Sequence, residues 1–389
     1  MVKLCALQST SVSPCDDFDL IMVDEAHDAS SAMLEMIVGL DDCRVLLVYD
    51  VYQRVYSSFG AASSSDLRRL IQSRGVTLPL SRSWRFSPAV ARIASRWLST
   101  CTGNAVSVLG NTNRKTSVSL SECAPVEFVR EIGSRLGVVV CKNVTAVRVA
   151  YDLLRRKQVV ASEVAFTNGA FVFVDGSHPN PADVVVEFAE FAFGQYRGLT
   201  VPALCRFATF RDPLEALRHF CYGSEYDERR RTLGYDGTVN LCALLSLYDE
   251  FGPTLHDVVS AVGACSGDPS SALVTLSTTF VAKGLEWPCV FVGDDHICGK
   301  ELLRVSKGVA YRMNGPANAY MVDPSRLLRD MVALNSERLV HRVHTTSEDV
   351  YETLINVTYV ALTRCSEHLF IGPCVSSWLV AAGCGLSCS

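Results

Sequence analysis

Two short apolar segments near the start of the chain each end in acidic residues, and this pattern constrains the fold more than any other. Residues 18–23 are followed by Asp24 and Glu25, and residues 45–49 are followed by Asp50. Short apolar strands that deliver a carboxylate at their carboxyl ends are typical of parallel sheets with helices on both faces. The sequence therefore predicts an α/β fold whose ligands bind at those strand ends.

The length and the element pattern predict more than one packed unit. At 389 residues the chain exceeds the size at which one hydrophobic core stops growing. Ser87 and Pro88 form an N-cap and first-turn pair before an amphipathic helix, and a segment rich in Ser, Thr, Asn and Gly follows it. The predicted organisation is a first parallel-sheet unit (1–100), a linker (101–123), the start of a second parallel-sheet unit (124–160), an inserted mainly helical subdomain (161–267) and the remainder of the second unit (268–389).

Composition and charge narrow the class of protein. Hydrophobic residues make up 49% and charged residues 20% of the chain, which excludes a disordered or fibrous protein. No apolar run reaches the roughly 18 residues of a membrane span, so we expect an intracellular protein with no membrane partner. Residues 51–120 carry ten basic residues and Asp66 as their one acid. Such a stretch could face phosphates, and a solvated helix face is the alternative.

The segment Ile-Met-Val-Asp-Glu-Ala-His-Asp at 21–28 predicts nucleotide chemistry. Mg²⁺ on a nucleotide binds to a carboxylate at a strand end, and a neighbouring Glu can take a proton from the attacking water. We therefore predict Asp24 and Glu25 as the Mg²⁺ site. Gln53 follows the next strand, where an amide can sense the γ-phosphate and orient water. Taken alone, the first segment could also be an ordinary surface strand terminus.

Five segments together resemble the motifs of UvrD-like superfamily 1 DNA helicases. Asp-Glu-Ala-His-Asp at 24–28 and Asp-x-x-Gln-Arg-x-Tyr at 50–56 resemble motifs II and III. Leu-Ser-Arg-Ser-Trp-Arg-Phe at 80–86 resembles motif IV, and the segments at 278–287 and 356–364 resemble motifs V and VI. The five segments follow one another in the order of the family's motifs, and their residues are most similar to those of the F-box DNA helicase branch.

The resemblance implies a fold, ligands and residue roles. It implies two RecA-like domains, the first truncated at its N-terminus, with an inserted helical subdomain. These domains would clamp ATP and Mg²⁺ and move 3′ to 5′ along single-stranded or forked DNA. The implied catalytic set is Asp24, Glu25, Gln53, Arg85 and Arg364, with Arg85 and Arg364 as arginine fingers. The implied nucleotide contacts are Gly284 and Glu286 together with Asp24, Gln53, Arg85 and Arg364 of that set. The implied DNA contacts are Tyr56, Phe59, Thr278 and Thr279.

The sequence departs from the family at the phosphate-binding loop. No GxxxxGK[ST] segment occurs, although the family carries this Walker A loop upstream of motif II. The loop supplies the backbone N–H cradle and the Lys that bind the β and γ phosphates. Two interpretations remain open: the chain is one piece of a longer or spliced product, with another polypeptide supplying the loop, or it is a degenerate motor retained for binding. Because a motor without hydrolysis could lose the catalytic set, its retention favours the first.

Three hypotheses for function follow. The first is an ATP-dependent DNA helicase or translocase of DNA replication, recombination or repair, which would act in the nucleus if the source is eukaryotic or a nuclear-replicating virus. The second is a catalytically inactive module that binds DNA or a partner protein. The third is a nucleotide-regulated interaction protein without DNA. The aromatic Phe59 is displaced by one position from the family's pattern, which puts part of the DNA affinity in doubt.

Overall fold

Alternating and continuous apolar runs form two separate parallel sheets. The computed structural model describes residues 18–39, 43–56, 61–62, 67, 69–71, 75–120, 129–174, 180–222, 240–296, 347–373, 375–376 and 379. Its strands are β1 (Leu20–Val23), β2 (Arg44–Leu47), β3 (Ser117–Leu120), β4 (Leu136–Val140), β5 (Val164–Phe166), β6 (Val274–Thr278), β7 (Trp287–Val292) and β8 (Cys365–Ile371). The prediction of an α/β fold with parallel strands is confirmed.

Helices connect and cover these strands. They are α1 (Ser31–Val38), α2 (Pro88–Thr102), α3 (Asn143–Arg155), α4 (Pro181–Ala192), α5 (Pro202–Phe207), α6 (Pro213–Tyr222), α7 (Leu241–Phe251), α8 (Leu255–Gly263), α9 (Thr279–Ala282) and α10 (Ser347–Leu362). The predicted start of α2 is confirmed, because the Ser87 hydroxyl accepts a hydrogen bond from Ala89 N at 3.2 Å. In the described part of the chain, no helix combines the length and the apolar character needed to cross a membrane.

The larger sheet has six parallel strands in the order β3-β8-β7-β4-β6-β5. The internal strand β4 is apolar and buried throughout because both faces of the sheet are covered. In β4, Val138 and Val140 belong to the core beneath α3, α4 and α8, whereas Val139 belongs to the core beneath α2 and α10. A side chain at Gly137 would have its Cβ 2.5 Å from the Trp287 ring, so the close packing of β4 on β7 requires glycine there.

The smaller sheet has two strands, and β1 pairs with β2 in register. In the described ranges of the chain, the apolar cluster at this sheet has the buried residues Ala26, Leu34, Ala62 and Leu67. By contrast, Leu20, Met22 and Leu46 on the strands themselves are exposed. A two-stranded sheet is at best marginally stable alone, so its order depends on what packs against it.

Helix α2 and the strands β3 and β5 bear on the predicted division of the chain into units. Helix α2 crosses the predicted boundary at residue 100, and its buried face packs in the core of the six-stranded sheet, where Trp97 Nε1 donates to Ile355 O at 2.9 Å. Strand β3 lies in the predicted linker. The predicted helical subdomain contains α4 to α8, but it also contains β5, an edge strand of the sheet.

Candidate functional site

The chain turns sharply at the carboxyl end of β1. Glu25 adopts a left-handed backbone conformation with a φ of 52°, and its N–H donates to Asp24 Oδ1 at 2.9 Å. A 3₁₀ turn, Ala26–Asp28, follows at once. A non-glycine residue in this conformation costs free energy and is found where the surrounding structure fixes it, often at functional sites. The turn brings the side chains of Glu25, His27 and Asp28 together.

His27 links the ends of the two strands of the smaller sheet. Its ring is 1% exposed, and Nδ1 accepts a hydrogen bond from Asp50 N at 3.0 Å. The proton of the neutral ring therefore lies on Nε2, which is 3.0 Å from Glu25 Oε2. Burial is the main cause that lowers the pKa of His27, and the positive charge of Lys283 adds to it. His27 is thus a neutral support for the acidic groups around it.

Lys283 reaches this cluster from the larger sheet. It follows α9 as the C-cap, and its side chain is only 8% exposed. Its Nζ lies 3.2 Å from Glu25 Oε2, 2.8 Å from His27 Nε2 and in contact with Asp28 Oδ2. Glu25, His27 and Asp28 offer ligand atoms within 4.8 Å of one another, a grouping that could hold a metal ion. The ammonium group is the positive charge in this cluster.

The predicted Mg²⁺ pair is divided in this structure. Glu25 belongs to the cluster around Lys283, whereas the Asp24 carboxylate accepts a backbone N–H at the exposed strand end. Gln53 follows β2 as predicted, and its Nε2 donates to Asp50 Oδ2 at 2.9 Å. The other Asp50 oxygen accepts from Tyr52 N at 2.9 Å, which caps the 3₁₀ turn Val51–Gln53. Asp50 therefore fixes the orientation of Gln53.

Arg85 and Glu286 meet across 201 positions of sequence. Arg85 Nε donates to Glu286 Oε2 at 2.9 Å, and the side chains are 28% and 39% exposed. The chain between α9 and β7 turns at Gly284, whose φ of 84° favours glycine. Both predicted nucleotide contacts, Gly284 and Glu286, therefore lie on the loop that also carries Lys283.

Arg364 is a buried cation whose hydrogen bonds go to neutral oxygens. Its side chain is 1% exposed, Nε donates to Val360 O at 2.9 Å, and Nη2 donates to Thr363 Oγ1 at 3.0 Å. In the part of the chain that the structure describes, no carboxylate forms an ion pair with it. A buried charge is costly unless a counter-charge meets it, so the position favours an anion.

Several distant residues act electrostatically on Arg364. Burial, and then the charge of Arg85, lower the pKa of Arg364, while Tyr359, Asp50 and Glu25 act in the opposite direction. The charges of residues more than 300 positions away in sequence therefore act on one guanidinium, and we call this region, where the two sheets meet, the cleft. The acids follow strands of the smaller sheet, whereas Glu286 and Arg364 directly precede β7 and β8 of the larger one. The cleft lies between the two sheets.

The predicted DNA contacts differ in their burial and in the groups that they contact. The Tyr56 hydroxyl donates to Phe280 O at 2.9 Å, and the Tyr56 ring lies 5.6 Å from Lys283 Nζ. Thr278 and Thr279 are buried, and the Thr279 hydroxyl lies 2.7 Å from His296 Nε2. The Thr279 hydroxyl is therefore engaged inside the protein, whereas Thr278 keeps 7% of its surface exposed. Phe59 lies outside the described residues.

Sequence reasoning assigned no role to some residues of this cleft. Lys283 lies within the segment 278–287 that resembles motif V and follows α9 as its C-cap, and its amine also joins the acidic cluster. Asn356 is 1% exposed and donates to Val51 O at 3.1 Å and to Arg54 O at 2.9 Å, so it ties α10 to the smaller sheet. Trp84, next to Arg85, has 67% of its surface exposed. A polar residue on the apolar face of α10 is the one signal that could have identified Asn356.

The candidate site combines negatively charged carboxylates with positively charged guanidinium groups. Glu25, Asp28 and Asp50, which follow strands of the smaller sheet, supply carboxylates, whereas Arg364, which precedes β8, and Arg85, which precedes α2, supply guanidinium groups. A ligand that carries both a divalent cation and a phosphate chain has the complementary charge pattern.

Comparison with known proteins gives one partial similarity. A segment of 108 residues is 32% identical to F-box DNA helicase 1 of Gallus gallus, covering 26% of this chain and 9% of that protein. The chain therefore spans only a small part of the length of this relative. No family model matches the sequence. The similarity indicates a relationship to a helicase for that segment.

Proposed function

We propose that this chain is the nucleotide- and DNA-engaging part of an ATP-dependent DNA helicase or translocase of the UvrD-like family. It would move 3′ to 5′ on single-stranded or forked DNA during replication, recombination or repair. The partial similarity to a DNA helicase supports the helicase part of the proposal. The cleft between the two sheets supports the nucleotide part, because closure of two units around a nucleotide is a common way to drive motion.

One observation carries the proposal, namely the buried guanidinium of Arg364, on which the positive charge of Arg85 also acts. Two like charges repel each other, and burial makes that repulsion stronger. Their proximity is favourable when a multiply charged anion lies between them. Arginine residues placed in this way stabilise the terminal phosphate during phosphoryl transfer. Arg85 would exchange its bond with Glu286 for the phosphate, and Glu286 would then be free to meet the ribose.

The charges of these residues support a magnesium nucleotide as the ligand. The acidic cluster already stabilises one positive charge, the ammonium of Lys283, so its electrostatic character suits a cation. Asp24 and Glu25 would hold Mg²⁺, which would neutralise the phosphate charge when bound. Glu25 would take a proton at its carboxylate from a water that Gln53 orients. For this proton transfer, the Lys283 amine would have to move away from the Glu25 carboxylate.

The proposal includes a source for the phosphate-binding loop. We propose that the smaller sheet is the incomplete first RecA-like domain, and that the six-stranded sheet with the helices α4 to α8 is the second. A further polypeptide would supply the Walker A segment. The exposed Leu20, Met22 and Leu46 on the two-stranded sheet support this idea, because apolar side chains at such positions are usually covered.

A second function is favoured by the position of Lys283. The amine neutralises Glu25 and Asp28 within the chain itself, so the cluster is stable without any metal ion. A catalytically inactive module that binds DNA or a partner protein would retain this arrangement permanently. It would bind DNA in a salt-dependent way and would not respond to ATP.

The test is complementation followed by substitution in the cleft. The chain is combined, in trans or as a fusion, with a polypeptide that carries a GxxxxGK[ST] loop, and ATP hydrolysis is measured with and without single-stranded DNA. We expect hydrolysis that DNA stimulates. Glu25→Gln should abolish it, and Arg364→Met should reduce it by about 10³- to 10⁵-fold.

The matched control is Glu35→Gln, which removes an exposed carboxylate from α1 and should leave hydrolysis unchanged. If no loop-bearing polypeptide yields DNA-stimulated hydrolysis, and Glu25→Gln behaves like Glu35→Gln, the motor proposal is rejected. DNA binding that persists in this case, with no response to ATP, would support the inactive module instead.

A further inference from the structure

A groove with a basic rim lies on the outer surface of α2, away from the residues of the cleft described above. One wall is the exposed side of α2 with Arg92 and Arg96, and the other is the segment 107–112 together with Arg82. The groove has a volume of about 540 Å³. Arg92 and Arg96 are one helical turn apart, which places them about 6 Å from each other along the axis.

Hydroxyl groups hold the floor of this groove in place. Ser95 Oγ accepts from Val108 N at 2.8 Å, and Ser99 Oγ accepts from Val106 N at 2.9 Å. Each hydroxyl also donates to a backbone carbonyl, Ala91 O at 2.8 Å for Ser95 and Val106 O at 3.1 Å for Ser99. The extended segment is therefore tied to the helix at two points. The groove is part of the folded framework and not a gap beneath a loose loop.

The charge of the groove is uniformly positive. Residues 67–120 contain no Asp or Glu, and none of the residues that line the groove is acidic. Arg82 and Arg92 are both exposed, and within the described part of the chain neither forms an ion pair. Because the chain as a whole carries a net charge of −5, this local excess is a property of one surface.

We propose that this groove binds the phosphate backbone of a nucleic acid strand. Arg side chains and Ser or Thr hydroxyls are the usual partners of backbone phosphates, and here they occur together along one open groove. Arginines spread along the groove suit a chain of several phosphates better than one small anion. The choice of nucleic acid as the polymer rests on the proposed function, whereas the binding of a polyanion rests on the groove alone.

The test is the salt dependence of DNA binding without any nucleotide. Binding of a fluorescein-labelled oligothymidylate is measured by anisotropy over a range of KCl concentrations for the full chain and for Arg82→Gln/Arg92→Gln. We expect the affinity of the double variant to fall roughly tenfold at low salt. The slope of log K against log [KCl] should become less negative by about 0.7 per lost contact, or about 1.4 in total. Ser107→Glu, which adds a negative charge to the wall, should also weaken binding.

The control is Arg155→Gln/Arg197→Gln, which removes two exposed arginines on the side of the sheet that α3 and α4 cover. It should leave the slope unchanged. An unchanged slope in Arg82→Gln/Arg92→Gln overturns the proposal, as does competition by poly-glutamate or inorganic phosphate that equals competition by unlabelled DNA. Absence of binding by the unaltered chain at low salt overturns it too. Because no ATP is present, a failure of the motor proposal would leave these results intact.

Discussion

At the residue scale, we expect Arg364 to lower the stability of the protein as long as no anion binds beside it. Its guanidinium is buried against neutral oxygens and close to another arginine, so the charge is costly in the free protein. We predict that Arg364→Met, which keeps the volume and removes the charge, leaves the free energy of unfolding unchanged or raises it by about 1–4 kcal/mol. Urea denaturation in a buffer of weakly binding anions measures this change.

Two comparisons make this prediction specific. Arg364→Ala should instead destabilise the chain, by about 2–5 kcal/mol, because it leaves a cavity as well. Addition of pyrophosphate should raise the melting temperature of the unaltered chain but not that of Arg364→Met. A large loss of stability in Arg364→Met would mean that the guanidinium is a structural group and that no anion is needed there.

Protonation of His27 should make the stability of the folded chain depend on pH. Burial lowers its pKa below the ordinary value of 6.5, so the unfolded chain binds a proton more readily than the folded one. The stability that the neutral ring contributes is therefore present above about pH 6.5 and is lost as the pH falls below it. We predict that His27→Gln reduces this slope in a series of urea unfolding curves measured at decreasing pH.

His368 contributes to the same pH range, because burial lowers its pKa as well. The slope should therefore be reduced further in His27→Gln/His368→Gln. The exposed His256 provides a control substitution, His256→Gln, on the far side of the larger sheet. If His27→Gln and His256→Gln give the same profile as the unaltered chain, the ring of His27 is not a buried neutral support.

At the element scale, α10 joins the two sheets. Asn356 donates one amide group to two backbone carbonyls of the smaller unit, Val51 O and Arg54 O, and is itself buried. We predict that Asn356→Ala destabilises the chain by about 1–3 kcal/mol, because the carbonyl oxygens lose a buried donor. Asn104→Ala, at an exposed position after α2, should change stability by less than about 0.5 kcal/mol. Chemical denaturation of both variants makes the comparison.

The positions of the helices and strands along the chain could be predicted better than the contacts between them. Ser87 and Pro88 predicted the start of α2, and the apolar runs at 18–23 and 45–49 predicted β1 and β2 to within a few residues, because caps and periodicity are local properties. The side of the molecule on which α2 packs is not local. Its apolar face fits either sheet in sequence, and only contacts such as Trp97 with Ile355 decide between them.

Within the cleft, too, local groupings of residues could be predicted and contacts between distant segments could not. The grouping of acids at the ends of β1 and β2 follows from strand polarity, so it could be predicted from sequence. The meeting of Arg85 with Glu286, or of Lys283 with Glu25, depends on how two units pack, and no periodicity encodes it. Burial of Thr278 and Thr279 was likewise not evident, because Thr is common both in surface loops and in strands.

At the scale of the whole molecule, stability should be unevenly distributed. Among the residues that the structure describes, large apolar clusters cover both faces of the six-stranded sheet, whereas the cluster at the two-stranded sheet has four buried apolar residues, and polar ties join that sheet to α9 and α10. Regions with few apolar contacts open locally at a lower free energy than the core. The smaller sheet should therefore be the first part of the molecule to open.

We predict that hydrogen exchange in the full chain is faster by orders of magnitude in β1 and β2 than in β4, β6 and β7. Lys283→Met should accelerate exchange in β1 and the turn after it, because it removes the cation that holds Glu25 and Asp28, and it should leave β4 unchanged. Mass spectrometry of peptides after timed exchange measures both effects. Asn104→Ala serves as the control. Equal protection of the two sheets would mean that the smaller one does not depend on its ties to the larger one, and the cleft would then be a rigid feature that cannot open and close around a ligand.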